Sequence, residues 1–97
     1  MSVYMVSWNL NKEGSEYDSA RNAIISRLLS YDLCYEGRQA DTFAFVWIPD
    51  NLGSGDIYNH LKDIFDNNDR LIVSSVPSSD KHLFVSKKMK EWLHRHL

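Results

Sequence analysis

Apolar and polar positions along this chain switch between two periods, and each switch marks an element. Residues 3–10 (Val-Tyr-Met-Val-Ser-Trp-Asn-Leu) are mostly β-branched, aromatic or aliphatic and predict a strand. The turn-forming run Asn11-Lys12-Glu13-Gly14 ends it. Tyr17, Ala20, Ile24, Leu28 and Tyr31 then recur at three- and four-residue steps, which predicts a helix over about 15–31. Ser15 is its expected cap, with Glu16 and Asp18 in the first turn, where the helix dipole favours anions. A short strand is expected over 33–37 and a stronger one over 42–48, stopped by Pro49. After the loop at 50–55, with Ser54 or Asp56 as cap, Ile57, Leu61, Ile64 and Phe65 form the stripe of a second helix, ended by Asn67 and Asn68. A strand over 71–76 closes at Pro77, and a further short strand is expected at 82–85. Ser86 then caps a last helix with Met89, Trp92, Leu93 and Leu97 on one face.

This order predicts an α+β fold. The expectation is a ferredoxin-like βαββαβ antiparallel sheet, with the first strand between the third and fourth and an extra C-terminal strand and helix. The chain reads as a single domain over 1–97, with 78–97 as a C-terminal docking extension. Two crossover helices cover only one face of such a sheet, yet its strands are apolar on both parities. Val3 and Met5 oppose Tyr4, Val6, Trp8 and Leu10; Phe43, Phe45 and Trp47 oppose Ala44, Val46 and Ile48; Leu71 and Val73 oppose Ile72 and Val76. A bare second face would exceed the few hundred Å² of apolar patch that monomers usually tolerate. The cover is either the C-terminal segment or a second copy. A two-fold homodimer is the preferred reading, because it also relieves the thin core of so short a chain.

Charge refines this picture. Eleven Lys and Arg stand against thirteen Asp and Glu, which excludes both a strongly basic tail protein and an acidic disordered chain. The near balance conceals a split: residues 81–97 carry a net +4 and residues 1–80 a net −6. Lys87, Lys88, Lys90 and Arg95 make the last helix basic as well as amphipathic, so it suits nucleic-acid phosphates or, through Met89, Trp92, Leu93 and Leu97, docking on a sheet or a partner groove. Docking is preferred, since phosphate contacts do not need so wide an apolar stripe. The single Cys34 makes no internal disulfide and reads as a small buried hydrophobe in a cytoplasmic protein. No apolar run approaches the length of a membrane span. Asp63, Asp66 and Asp69 lack the pattern of a calcium loop and are expected to form a solvated helix end. The spacing of His60, His82, His94 and His96 predicts no zinc site, and the loop at 51–56 lacks the P-loop ending and reads as cap and loop.

Two segments carry a family resemblance. Val6-Ser7-Trp8-Asn9-Leu10-Asn11-Lys12-Glu13-Gly14 resembles the first-strand segment of the small CRISPR-adaptation subunit and its SinR-like bacterial relatives, and Asp66-Asn67-Asn68-Asp69-Arg70-Leu71-Ile72-Val73 resembles their passage from helix to fourth strand. The resemblance implies a ferredoxin-like homodimer. In members with nuclease activity, an aspartate at the end of the first strand holds a divalent metal near its two-fold mate; Asn9 stands there in this chain. A magnesium or manganese ion that activates water needs hard, preferably anionic oxygen ligands, and Asn9 offers one neutral carbonyl. Asn9 otherwise reads as a residue closing the turn after the strand. The leading expectation is therefore a non-catalytic assembly protein with no resident metal or cofactor, contacting nucleic acid without sequence preference. The alternatives are a metal-dependent endonuclease or toxin-like ribonuclease and a small protein-binding adaptor or inhibitor.

Overall fold

A computed structural model describes residues 1–37, 41–79 and 82–97. Its elements run β1 (Ser2–Asn9), α1 (Gly14–Leu28), β2 (Asp32–Cys34), β3 (Phe43–Ile48), α2 (Ser54–Leu61), β4 (Arg70–Ser75) and α3 (Lys87–His96), with a short 3-10 turn at Lys62–Ile64 after α2. The four strands form one antiparallel sheet in the order β2-β3-β1-β4, so β1 lies between β3 and β4 as the sequence predicts.

The strand parities sort as their pattern requires. Val6, Trp8, Ala44, Val46 and Ile48 face α1 and α2 and pack with Ile24, Leu28, Ile57 and Leu61. Val3 and Phe45 turn to the opposite face, where they meet Cys34, Met89, Trp92 and Leu93. Within the chain, α3 thus closes part of the second apolar face. The residues α3 buries there are Met89, Trp92 and Leu93, and sealing a large apolar side chain from water contributes about 1.5–3 kcal/mol.

Several boundaries differ from expectation. The helix α1 starts at Gly14, whose φ of +57° is a left-handed conformation that glycine adopts without strain, and Ser15 lies inside it. It ends at Leu28, because the Ser30 hydroxyl and backbone N–H turn back onto the Arg27 carbonyl, at 2.8 and 3.3 Å. Tyr31 leaves the helix but still packs on the core. The strand predicted at 33–37 is confined to Asp32–Cys34. Asn67 and Asn68 sit in the turn before β4, beyond the end of α2. Residues 82–85, expected as an extra strand, form none. That segment alternates, with Leu83 and Val85 inward and Phe84 outward, but it crosses the face of the sheet above Met5, Phe43 and Phe45, where no strand edge offers ladder bonds. Ser86 caps α3 as expected, accepting from the Met89 N–H at 3.2 Å.

Candidate functional site

The basic amphipathic segment lies against the chain's own sheet. Met89, Trp92 and Leu93 of the expected interface are buried on the chain's own sheet, while Leu97 remains exposed. Trp92 stacks on Phe45, and His96 stacks on Trp92 with centroids 4.0 Å apart. The His96 ring also meets Trp47 edge-on at 4.9 Å. Its Nε2 lies 2.8 Å from Asp32, which also accepts a 3.4 Å hydrogen bond from the Trp92 indole. These contacts pin the end of α3 over β2. At its other end, the capping Ser86 hydroxyl donates to Glu36.

With the apolar stripe turned inward, the cations of α3 face outward, but they do not form one uniform patch. Lys88 donates to the Tyr35 carbonyl at 2.6 Å and reaches over the Tyr35 ring, so it serves the docking. Lys87 stands 3.9 Å from Glu91 in an exposed pair, and Lys90 and Arg95 are exposed. Exposed pairs of this kind are worth little.

Asn9 is exposed at the end of β1, opposite Arg70 of β4. It does not close the following turn by itself. That role falls to Asp69, which sequence reasoning assigned to a solvated helix end. Asp69 is buried, accepting from the Asn11 N–H at 2.8 Å, the Asp66 N–H at 3.0 Å and Lys12 Nζ at 2.6 Å. Lys12 also reaches Asp66 at 2.8 Å. Burial pushes the Asp69 carboxyl up, but these donors outweigh it and hold the carboxyl below its ordinary range. Lys12, and the Asn68 N–H beside it, hold Asp66 low as well. Hydrogen bonds from Lys12 to Asp66 and Asp69 raise Lys12 in turn. The two segments that carried the resemblance therefore touch through Lys12, Asp66 and Asp69, which tie the exit of β1 to the entry of β4. The available signal was a lysine in one turn and carboxylates at a three-residue step in another, with nothing local to bring them together.

Among the described residues no group of three His, Cys, Asp or Glu is placed to hold a metal ion. Cys34 is buried, and burial pushes its thiol up, which suits packing rather than nucleophilic attack.

Cover of the second face by α3 is incomplete. Toward β4 lies a groove of about 390 Å³, floored by Met5, Phe43 and Phe45 and walled by Val76, Leu83 and Phe84. Phe84 stands clear of the surface at 104% relative exposure, and Ile72 of β4 is 60% exposed. The outer edge of β4 has no strand neighbour among the described residues.

Among the described residues these features define a small α+β protein with a four-strand antiparallel sheet, three helices and an apolar surface at one side of its second face. No protein-family model, curated protein or solved structure matches this chain. Among the described residues no helix is long and apolar enough to cross a membrane.

Proposed function

We propose that this chain is a ferredoxin-like, non-catalytic assembly protein that works as a homodimer, akin in role to the small CRISPR-adaptation subunit it resembles. The observation that carries this reading is the apolar surface α3 leaves open, with Phe84 at the groove and Ile72 on β4. An exposed phenylalanine and isoleucine at one side of the sheet mark an association surface better than scattered single residues do. A two-fold assembly would cover this surface on both copies at once. Light scattering of the purified protein at micromolar concentration is expected to give twice the 11.3 kDa chain mass, and Phe84→Ser is expected to lower it. A mass that stays monomeric sinks the reading, and Mg- or Mn-dependent cleavage of RNA or DNA, lost in Asn9→Ala, replaces it with the nuclease alternative.

A second reading has its own support. With the stripe of α3 docked, Lys87, Lys90 and Arg95 stand in solvent on its outer side, available to phosphates. Sequence-independent binding to nucleic acid that weakens with salt is the expected sign of it.

A further inference from the structure

The two edges of the sheet are finished differently. The β2 edge is three residues long, starts with Asp32, and is held under the end of α3 through His96 and Trp92. Short, charged and covered edges are how sheets avoid pairing with other chains. The β4 edge has six residues, Arg70-Leu71-Ile72-Val73-Ser74-Ser75, with no proline, no lysine and a single charge at its start. Apart from Arg70 at its start, none of the usual devices against edge pairing acts on it among the described residues.

The ladder shows which groups that edge offers. The Val76 N–H donates to the Val3 carbonyl at 2.9 Å, and the β1–β4 register pairs Met5 with Ser74 and Ser7 with Ile72. Hydrogen-bonded pairs alternate along an antiparallel ladder, so Arg70, Ile72 and Ser74 bond inward to β1. Leu71, Val73 and Ser75 therefore turn their N–H and C=O groups out to the open edge.

We infer that two copies of this chain join through their β4 edges, paired antiparallel about a two-fold axis at Ile72. This rests on the homodimer reading and names its surface. The side chains select the register. Centred on Ile72, the pairing sets Leu71 against the second copy's Val73, Ile72 against Ile72, and Arg70 against Ser74. Apolar meets apolar, polar meets polar, no like charges face, and Leu71 and Val73 bond through the groups they turn outward. One step along, an axis at Val73 sets Ile72 against Ser74 and Arg70 against Val76. An axis at Leu71 sets Arg70 against Ile72. Pairing at Ile72 extends the sheet from four strands to eight and covers the exposed Ile72 side chains with each other.

The Ile72 pair is a non-hydrogen-bonded site, where facing Cα atoms lie about 4.5 Å apart, within the span a disulfide bridges. Ile72→Cys, oxidised with copper phenanthroline, is expected to give a disulfide-linked dimer, whereas the parent protein, whose Cys34 is buried, is not. Ile72→Lys places two ammonium groups at the axis and is expected to weaken dimerisation roughly tenfold or more, with unchanged circular dichroism because the site is exposed. If the parent sediments as a dimer but Ile72→Cys fails to cross-link and Ile72→Lys associates as tightly as the parent, the edge pairing is overturned and the assembly reading stands. A monomer at every concentration overturns both.

Discussion

Both faces of this sheet carry apolar residues, and the two are closed in different ways. On the first, α1 and α2 lie over Val6, Trp8, Ala44, Val46 and Ile48, and these residues are shut from water. On the second, one helix returns from the C-terminal end to cover the side near β2, while the side near β4 keeps Phe84 in solvent, with Ile72 exposed on the neighbouring strand. The difference separates two jobs that apolar residues perform. Those under α1, α2 and α3 stabilise the monomer. Those beside β4, Phe84 and Ile72, stay exposed, and under the proposed homodimer they are the ones that serve association.

The largest effects should come from residues that close each face. Trp92→Ala removes the ring between Phe45 and His96 and is expected to cost about 3–5 kcal/mol in urea denaturation, similar to large core truncations elsewhere. Leu61→Ala in α2 should cost about 2–5 kcal/mol. If Trp92→Ala costs less than about 1 kcal/mol while Leu61→Ala is costly, α3 is an accessory and the second face is not part of the core.

Next in size is the cluster where β1 ends and β4 begins. Asp69→Ala strands the Asn11 and Asp66 N–H groups and is expected to destabilise by about 1–3 kcal/mol. Its pH dependence has a definite sign. The Asp66 and Asp69 carboxyls are held low, so their contribution is complete above the ordinary carboxylate pKa and disappears as pH falls through the lowered values. Lys12 is raised, so its share is fully present below its ordinary pKa and is lost as pH climbs through the raised value. Thermal melts from neutral to acid pH should show a decline that Asp69→Asn flattens; an unchanged acid limb would show that the cluster does not set acid stability.

Smallest in stability, and sharpest for the comparison, is Phe84→Ser. It should shift folding by no more than about 0.5 kcal/mol while weakening self-association, since the ring is in solvent in the single chain. Replacing Lys87, Lys90 and Arg95 by Gln together should likewise leave folding nearly unchanged. If the nucleic-acid reading holds, the slope of log affinity against log salt falls by about one for each phosphate these cations no longer neutralise. An unaltered slope assigns those cations to solubility alone.

Much of the architecture was legible because it is written in periodicity. The parities of β1 and β3 sorted onto the two faces as their alternation required, and the stripe of α3 docked inward with Ser86 as its cap. The strand expected at 82–85 failed for a reason periodicity cannot express. Alternation reports which side chains turn inward, and Leu83 and Val85 do, but a strand also needs an edge to bond, and this segment lies over a face. Periodicity likewise shows that a second face is apolar without showing how much of it one chain's own helix fills, and here α3 fills the β2 side. Asp69 was missed because its burial depends on partners 57 and 58 residues away, a closeness created only by the pairing of β1 with β4. Charge asymmetry pointed to the helix that docks, and of the cations it singled out, Lys88 is the one that reaches across to Tyr35.

Hydrogen exchange measured residue by residue at dilute and concentrated protein tests the unequal closure of the two sides most directly. The α3 amides from Lys90 onward are expected to be equally protected at both concentrations, because their helix docks on its own chain. The outward amides of Leu71 and Val73 are expected to gain protection as concentration rises. Protection of α3 that fades on dilution, or β4 amides indifferent to concentration, would contradict that division between a closed side and an associating one.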